Sequence, residues 1–218
     1  MRADVVIPAY NEEERIAATI KALQHKWIRN VIVVDDGSSD KTYEIAKQYT
    51  RSVIKLPKNK GKMAAVFTGL SEVKADWVIV LDGDLGETAS EAEKLLPPLY
   101  DNSADMTVAT MPTFEKRGFG IVKKRAQQVL KKQTGTHLSA PLSGQRAFHK
   151  KWIPLIVSKE GYGFGLEMYL NLLILNHGGR IKEVPTSINH RTTGKTIKGF
   201  YHRTKQWIDM EMTIWNYS

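Results

Sequence analysis

The chain has 218 residues, 42% hydrophobic and 25% charged, with no cysteine and a formal net charge of +9. That length can bury a substantial core, and the composition is neither disordered nor fibrous. No apolar run approaches the ~18 residues of a membrane span, and without cysteine there are no disulfides, thiolate metal sites or cysteine nucleophiles. The opening MRADVVIPAYNEEE lacks a charged segment followed by a long apolar stretch, so it is not expected to be a signal peptide. These features fit a reducing, cytoplasmic setting. The charge is unevenly spread: residues 1–111 carry 14 Lys+Arg against 17 Asp+Glu, a net of −3, and residues 112–218 carry 18 against 6, a net of +12. The first half suits a bound cation. The second suits anions such as phosphates, an anionic membrane or nucleic acid, or is a basic surface kept for solubility.

In chain order, Val5–Ile7 reads as a strand and Glu12–Gln24 as a helix with Ile16, Ile20 and Leu23 on one face. Val31–Val34 follows as a strand, and Asp40–Tyr49 as a helix capped by Ser38 or Ser39. Val53–Leu56 is a short strand, Lys62–Lys74 a helix, and WVIVL at Trp77–Leu81 the clearest strand. Ser90–Tyr100 reads as a helix bent at Pro97–Pro98, and Met106–Thr110 as a strand. Beyond it come a basic helix at Gly120–Gln133, a strand at Ser143–Phe148, an apolar helix at Gly165–His177 and a strand at Lys182–Ser187. A basic, aromatic helix is expected from Thr196 onward. Alternating strands and helices predict an α/β fold with a mostly parallel, Rossmann-like sheet flanked by helices. No repeat or linker divides it, so the expectation is one catalytic domain over 1–218, with a nucleotide-binding half (1–111) and an acceptor-side half (112–218).

Three first-half strands run into polar clusters, at the carboxyl ends where ligands of such sheets bind. They are Pro8-Ala9-Tyr10-Asn11-Glu12, Asp35-Asp36-Gly37-Ser38-Ser39-Asp40 and Asp82-Gly83-Asp84. Each alone also reads as a turn or helix cap. Residues i and i+2 leaving a strand point the same way, so Asp82 and Asp84 could converge on one hard cation, Mg²⁺ or Mn²⁺, shared with diphosphate oxygens. Lys62 reads either as an exposed residue at a helix start, where its charge opposes the dipole, or as a ligand contact.

Taken together, VVIPAYNEEE, VIVVDDGSSDKT, NKGKMAAVFTGL and WVIVLDGDL resemble the inverting glycosyltransferases of family 2, on the GT-A fold. The resemblance implies that Pro8, Tyr10, Glu12 and Asp36 contact the nucleoside of a UDP- or GDP-sugar, with Lys62 beside the nucleotide. It makes Asp82 and Asp84 the D-x-D motif, with Asp84 the principal metal ligand. A divalent cation neutralises charge on the departing diphosphate.

The later stretch GYGFGLEMYLNLLILNHGGRIKEVPTSINHRTTGKT resembles the polyprenyl-phosphate sugar synthases within that family. The matched positions are Gly161, Tyr162, Phe164, Glu167, Glu183, Val184, Pro185, Arg191, Gly194 and Thr196. The resemblance implies that this region lies over the donor diphosphate and the acceptor phosphate. Arg191 is then the first phosphate contact, with Lys195, Thr196 and Lys198 behind it, and Arg146 of Ser143-Gly144-Gln145-Arg146 faces the site. Two positions depart from the pattern. Leu85-Gly86-Glu87 replaces the usual hydrophobic residue and glutamine after D-x-D, and His190 stands where Asp is usual. His190 is either a further metal ligand or a hydrogen-bonding residue at a strand end.

The acceptor sets the mechanism. A hydroxyl needs a general base, a role open to Glu167; a phosphate is already an anion and needs cations. Glu167 reads equally as a structural partner of Arg191 or Arg146. The basic second half favours polyprenyl phosphate at the cytoplasmic membrane face. Lys123, Lys124, Arg125, Lys131 and Lys132 beside Ile121, Val122, Val129 and Leu130 suit peripheral contact with an anionic leaflet. So does the tail, with Phe200, Tyr201, Arg203, Lys205, Trp207, Ile208, Met212, Ile214 and Trp215. Core packing, or for the tail a homodimer contact, is the other reading. No nucleic-acid recognition motif accompanies the charge. The alternatives are transfer to a soluble or polymer hydroxyl, a nucleotidyltransferase and a non-catalytic sensing module. PAYNEEE lacks the Gly-rich phosphate loop of the nucleotidyltransferase, and intact Asp36, Asp82 and Asp84 argue against the sensing module.

Overall fold

The computed structural model describes residues 1–111, 120–158 and 165–189. Seven strands form one sheet: β1 (Ala3–Ala9), β2 (Ile28–Asp35), β3 (Ser52–Lys55), β4 (Trp77–Val80), β5 (Met106–Thr110), β6 (Arg146–His149) and β7 (Ile181–Pro185). Their order across the sheet is β3-β2-β1-β4-β6-β5-β7. β1 runs parallel to β2 and β4, β2 to β3, and β5 to β7, while β6 is antiparallel to both of its neighbours. The expected α/β, mostly parallel sheet is therefore present, with one reversed strand inside it.

Every residue of β1 is buried, as a central strand covered on both faces requires. Side-chain alternation splits the strands between two cores. Val5, Ile7, Val31, Val33, Ile79 and Ala147 pack on one face with Ile16 and Ile20 of α1 (Ile16–Ala22) and with Leu23 at its C-terminal end. Val6, Ile32, Val34, Val78, Val80 and Phe148 pack on the other with α3 (Lys62–Leu70) and α7 (Leu166–Asn176). The short helices α2 (Thr42–Ala46), α4 (Pro97–Tyr100) and α6 (Ile153–Val157) and the longer α5 (Gly120–Thr134) complete the helical layers. The α3–β1 contact is close enough that a side chain at Gly69 would run into Val6.

Several expected bounds shift for local reasons. The carbonyl of Glu12 accepts from the amides of both Arg15 and Ile16, so 12–15 forms a turn and regular α1 begins at Ile16. Neither serine caps α2: Lys41 stands at its N-terminus, and Asp40 just before it accepts from the Thr42 amide at 2.9 Å through Oδ1. Ser38 instead accepts from the Asn11 amide at 2.9 Å, tying the first cluster to the second. The expected helix before Pro97 is a 3-10 segment, Gly86–Leu95, with α4 restarting at the proline pair. Among the described residues no helix is long and apolar enough to cross a membrane.

Candidate functional site

Because β2, β1 and β4 are parallel neighbours, their carboxyl ends share one edge of the sheet. The Tyr10, Asp36 and Asp82–Asp84 clusters therefore stand side by side there. β6 runs the other way, and Val80 pairs with Arg146, so it is the start of β6 that reaches this edge. That reversal brings Ser143-Gly144-Gln145 against the D-G-D turn.

Lys62, the first residue of α3, lies at the centre. Its Nζ is 2.6 Å from Asp82 Oδ1 and 2.9 Å from Glu167 Oε1 on the first turn of α7. Burial pulls the ammonium down, but the Asp82 and Glu167 carboxylates outweigh it and hold Lys62 above the ordinary lysine range. It is a fixed cation at every working pH. The second Asp82 oxygen accepts from Gln145 Nε2 at 2.7 Å. Asp36 is buried, and its two oxygens accept from the amides of Lys60 and Gly61 at 2.7 and 2.8 Å. Those bonds order the NKGK loop at the entry to α3, so Asp36 sets where Lys62 begins.

The D-G-D turn is supported from below by α1. Arg15 donates to the Asp84 carbonyl at 2.9 Å, and Thr19 donates to the Gly83 carbonyl at 2.9 Å while accepting from the Gly86 amide at 2.8 Å. A Cβ at Gly83 would lie 3.5 Å from Glu12 Cγ, which places the Glu12 stem beside the turn. Pro8 is buried at the end of β1, and Tyr10 is 47% exposed at the rim. Strand alternation is not what aims Asp82 and Asp84, because β4 ends at Val80 and residues 83–84 are a turn. Asp82 is drawn to Lys62 and Gln145.

No group of three or more Asp, Glu or His among the described residues stands close enough to hold a metal. A cation at this turn would share hard carboxylate oxygens with oxygens of a bound phosphate, a donor set that suits Mg²⁺ or Mn²⁺.

The family model described as "Glycosyl transferase family 2" matches residues 4–154, more than two thirds of the chain. The chain belongs to glycosyl transferase family 2. Glycosyltransferase AglJ of Haloferax volcanii is 30% identical over 200 residues, covering 87% of this chain and 64% of the relative. A UDP-N-acetylglucosamine–dolichyl-phosphate N-acetylglucosaminyltransferase of Methanococcus voltae is 29% identical over 178 residues, covering 70% and 71%. In fold, the chain is similar to glucosyl-3-phosphoglycerate synthase of Mycobacterium tuberculosis, solved with Mg²⁺ and UDP. The TM-score is 0.81 at 23% identity, covering 99% of this chain and 79% of that one. The architecture is thus the GT-A type, and the chain is a glycosyltransferase.

Not every expected residue of this glycosyltransferase sits where its sequence suggested. Arg146 is 1% exposed and faces inward. It donates to the carbonyls of Ser143 and Pro141, both at 2.9 Å, and to Asn171 Oδ1 of α7. Burial lowers its guanidinium to about 10, with Glu167 and Asp82 pulling it back up, so it stays charged at neutral pH. This geometry makes Arg146 the clamp of the 141–145 turn on α7. Adjacent residues of an extended chain face opposite ways, so Gln145, and not Arg146, meets Asp82. Arg146→Lys is expected to lower unfolding stability by about 2–4 kcal/mol, because an ammonium cannot reproduce the guanidinium fork. Urea unfolding checks this, and a fall in acceptor affinity with unchanged stability would contradict it. Glu167 pairs with Lys62, a partner the sequence did not suggest, and Glu183 accepts from the amides of Ser139 and Ala140. Arg15, Thr19 and Gln145 went unnoticed in the sequence. The expectations at Gly161, Tyr162, Phe164, His190, Arg191, Gly194, Lys195, Thr196 and Lys198, and on the aromatic tail, lie outside the described residues.

Proposed function

We propose that this glycosyltransferase moves a sugar from a nucleotide diphosphate sugar to polyprenyl phosphate, with a divalent cation and inversion at the anomeric carbon. The observation that carries the reading is the gathering of Tyr10, Asp36, Lys62, Asp82 and Asp84 on one strand edge, with a lysine locked between two carboxylates. Tyr10 and the loops ending β1 and β2 form the nucleoside side. Asp84, with Asp82 beside it, would hold Mg²⁺ or Mn²⁺, which when bound supplies neutralising charge to the diphosphate. Lys62 adds a positive charge that needs no reorganisation during the reaction. An acceptor oxygen attacks the anomeric carbon from the face opposite the leaving diphosphate, and the glycosidic bond breaks as the new one forms.

The acceptor reading is supported by Glu167. Its Oε1 already accepts a hydrogen bond from the Lys62 ammonium, which competes for the lone pairs that a base would use. An anionic acceptor needs no base. Two relatives' names add weight: the Methanococcus voltae protein is named for a dolichyl-phosphate acceptor, and a Pyrococcus furiosus relative, 27% identical, is named a dolichol-phosphate mannosyltransferase. Arg191, Lys195, Thr196 and Lys198 are proposed acceptor contacts, His190 a further metal ligand, and the basic face of α5 a membrane contact.

A panel of UDP- and GDP-sugars with Mn²⁺, with and without a polyprenyl phosphate, tests the reading. Expected is turnover of at least one donor, strongly stimulated by the lipid phosphate. Stimulation by a soluble hydroxyl acceptor alone would replace the acceptor assignment, and failure to bind any donor would remove the function.

A further inference from the structure

The residues around Asp82 carry one more step, which rests on the glycosyl-transfer reading and deepens it. We propose that Gln145 is a positioning residue for transfer: through Asp82 it fixes the Lys62 ammonium at the strand ends. Gln145 is fully buried, and a buried amide is costly unless both of its ends are matched. Both are. Ser143 Oγ donates to Gln145 Oε1 at 3.3 Å, and Gln145 Nε2 donates to Asp82 Oδ2 at 2.7 Å. The other Asp82 oxygen meets Lys62, whose second contact is Glu167. One hydrogen-bonded chain thus runs from the start of β6 through the end of β4 and the start of α3 to the start of α7.

The backbone is fitted to this chain. A Cβ at Gly144 would stand 2.6 Å from Asp82 Oδ2 and 2.8 Å from Lys62 Nζ, so only glycine lets the strand entry pass this close. The far end of the chain is open: the side chains of Lys62 and Asp82 keep 35% and 24% of their exposure on the edge assigned to the donor. Gln145 is therefore the buried anchor, and Lys62 is the group it presents. Without the amide, Asp82 Oδ2 loses its 2.7 Å contact and the Lys62 ammonium shifts toward Glu167, so the cation no longer stands at the same place when the diphosphate leaves.

A double-mutant cycle tests this. Gln145→Glu sets a carboxylate against Asp82, and Asp82→Asn replaces the acceptor with an amide. The pair D82N/Q145E rebuilds an amide–carboxylate contact in reversed order. Each single variant is expected to lose about 10²-fold in kcat, Gln145→Glu with donor KM changed less than about 3-fold, and the double variant to regain about 10-fold over either. Losses that simply multiply would overturn the proposal. Gly144→Ala is the second probe, because its methyl strikes the flexible tips of Asp82 and Lys62 and not the core. Expected is a kcat loss of at least about 10-fold, with wild-type melting and UDP or GDP affinity by calorimetry changed less than about 3-fold. Unchanged kcat overturns the proposal. A wild-type chain that binds neither nucleotide and turns over no donor removes the glycosyl-transfer reading and this one with it. A working wild type with multiplying losses removes this one alone.

Discussion

Asp84→Asn is expected to lower transfer by roughly 10²–10³-fold while leaving the fold intact, the scale of losing several kcal/mol of stabilisation on the leaving diphosphate. The argument lies in how the turn is built. The position of Asp84 is set through its backbone, by Arg15 on its carbonyl and by Thr19 bridging Gly83 and Gly86. Those backbone bonds remain available in an amide variant of equal size, which removes one negative charge. The loss belongs in kcat and in Mn²⁺ affinity, with binding of UDP or GDP in the absence of metal little changed. Titration calorimetry with and without Mn²⁺, beside steady-state rates and thermal melting, separates these outcomes. Full activity in the variant, or collapse of the melting transition, would each contradict the assignment.

The frame of the site was legible because it depends on local pattern. Apolar runs such as VVI and VIVV, each ending in polar residues and alternating with amphipathic segments, define parallel strands whose carboxyl ends gather on one edge. The clusters that hold Tyr10, Asp36, Asp82 and Asp84 follow from that with no knowledge of long-range contacts, and Lys62 was reached through the family resemblance. What the sequence concealed depends on strand direction and on pairs far apart in the chain. β6 is too short to announce that it runs antiparallel, and its reversal decides that Gln145 meets Asp82 while Arg146 turns to Asn171. The Lys62–Glu167 pair joins residues 105 apart, which neither periodicity nor spacing reveals. Arg15 and Thr19 read as ordinary surface positions of an amphipathic helix, because their partners are backbone carbonyls and an amide of a distant turn. The short bond from Asp40 to Thr42 was missed for another reason: Ser38, Ser39 and Asp40 are all good caps, and the serines are used elsewhere.

Lys62→Met is expected to remove roughly 10²–10³-fold of the transfer rate, the scale of losing one charge aimed at a developing anion. It should also lower unfolding stability by about 1–3 kcal/mol, less than for a fully buried pair because all three side chains are partly exposed. In the wild type, Lys62 is held above the ordinary lysine range. The ion pair therefore contributes fully below the unfolded lysine pKa of about 10.4 and is lost only as pH rises through the higher folded value. Between about pH 6 and 9 the wild-type rate should carry no inflection from this group. The variant's stability deficit should stay constant between about pH 6 and 9, because the wild-type pair is fully formed across that range. Urea midpoints of wild type and Lys62→Met measured over that range check the sign, and a deficit that shrinks as pH rises toward about 9 would mean that the ammonium is not held above the ordinary lysine range.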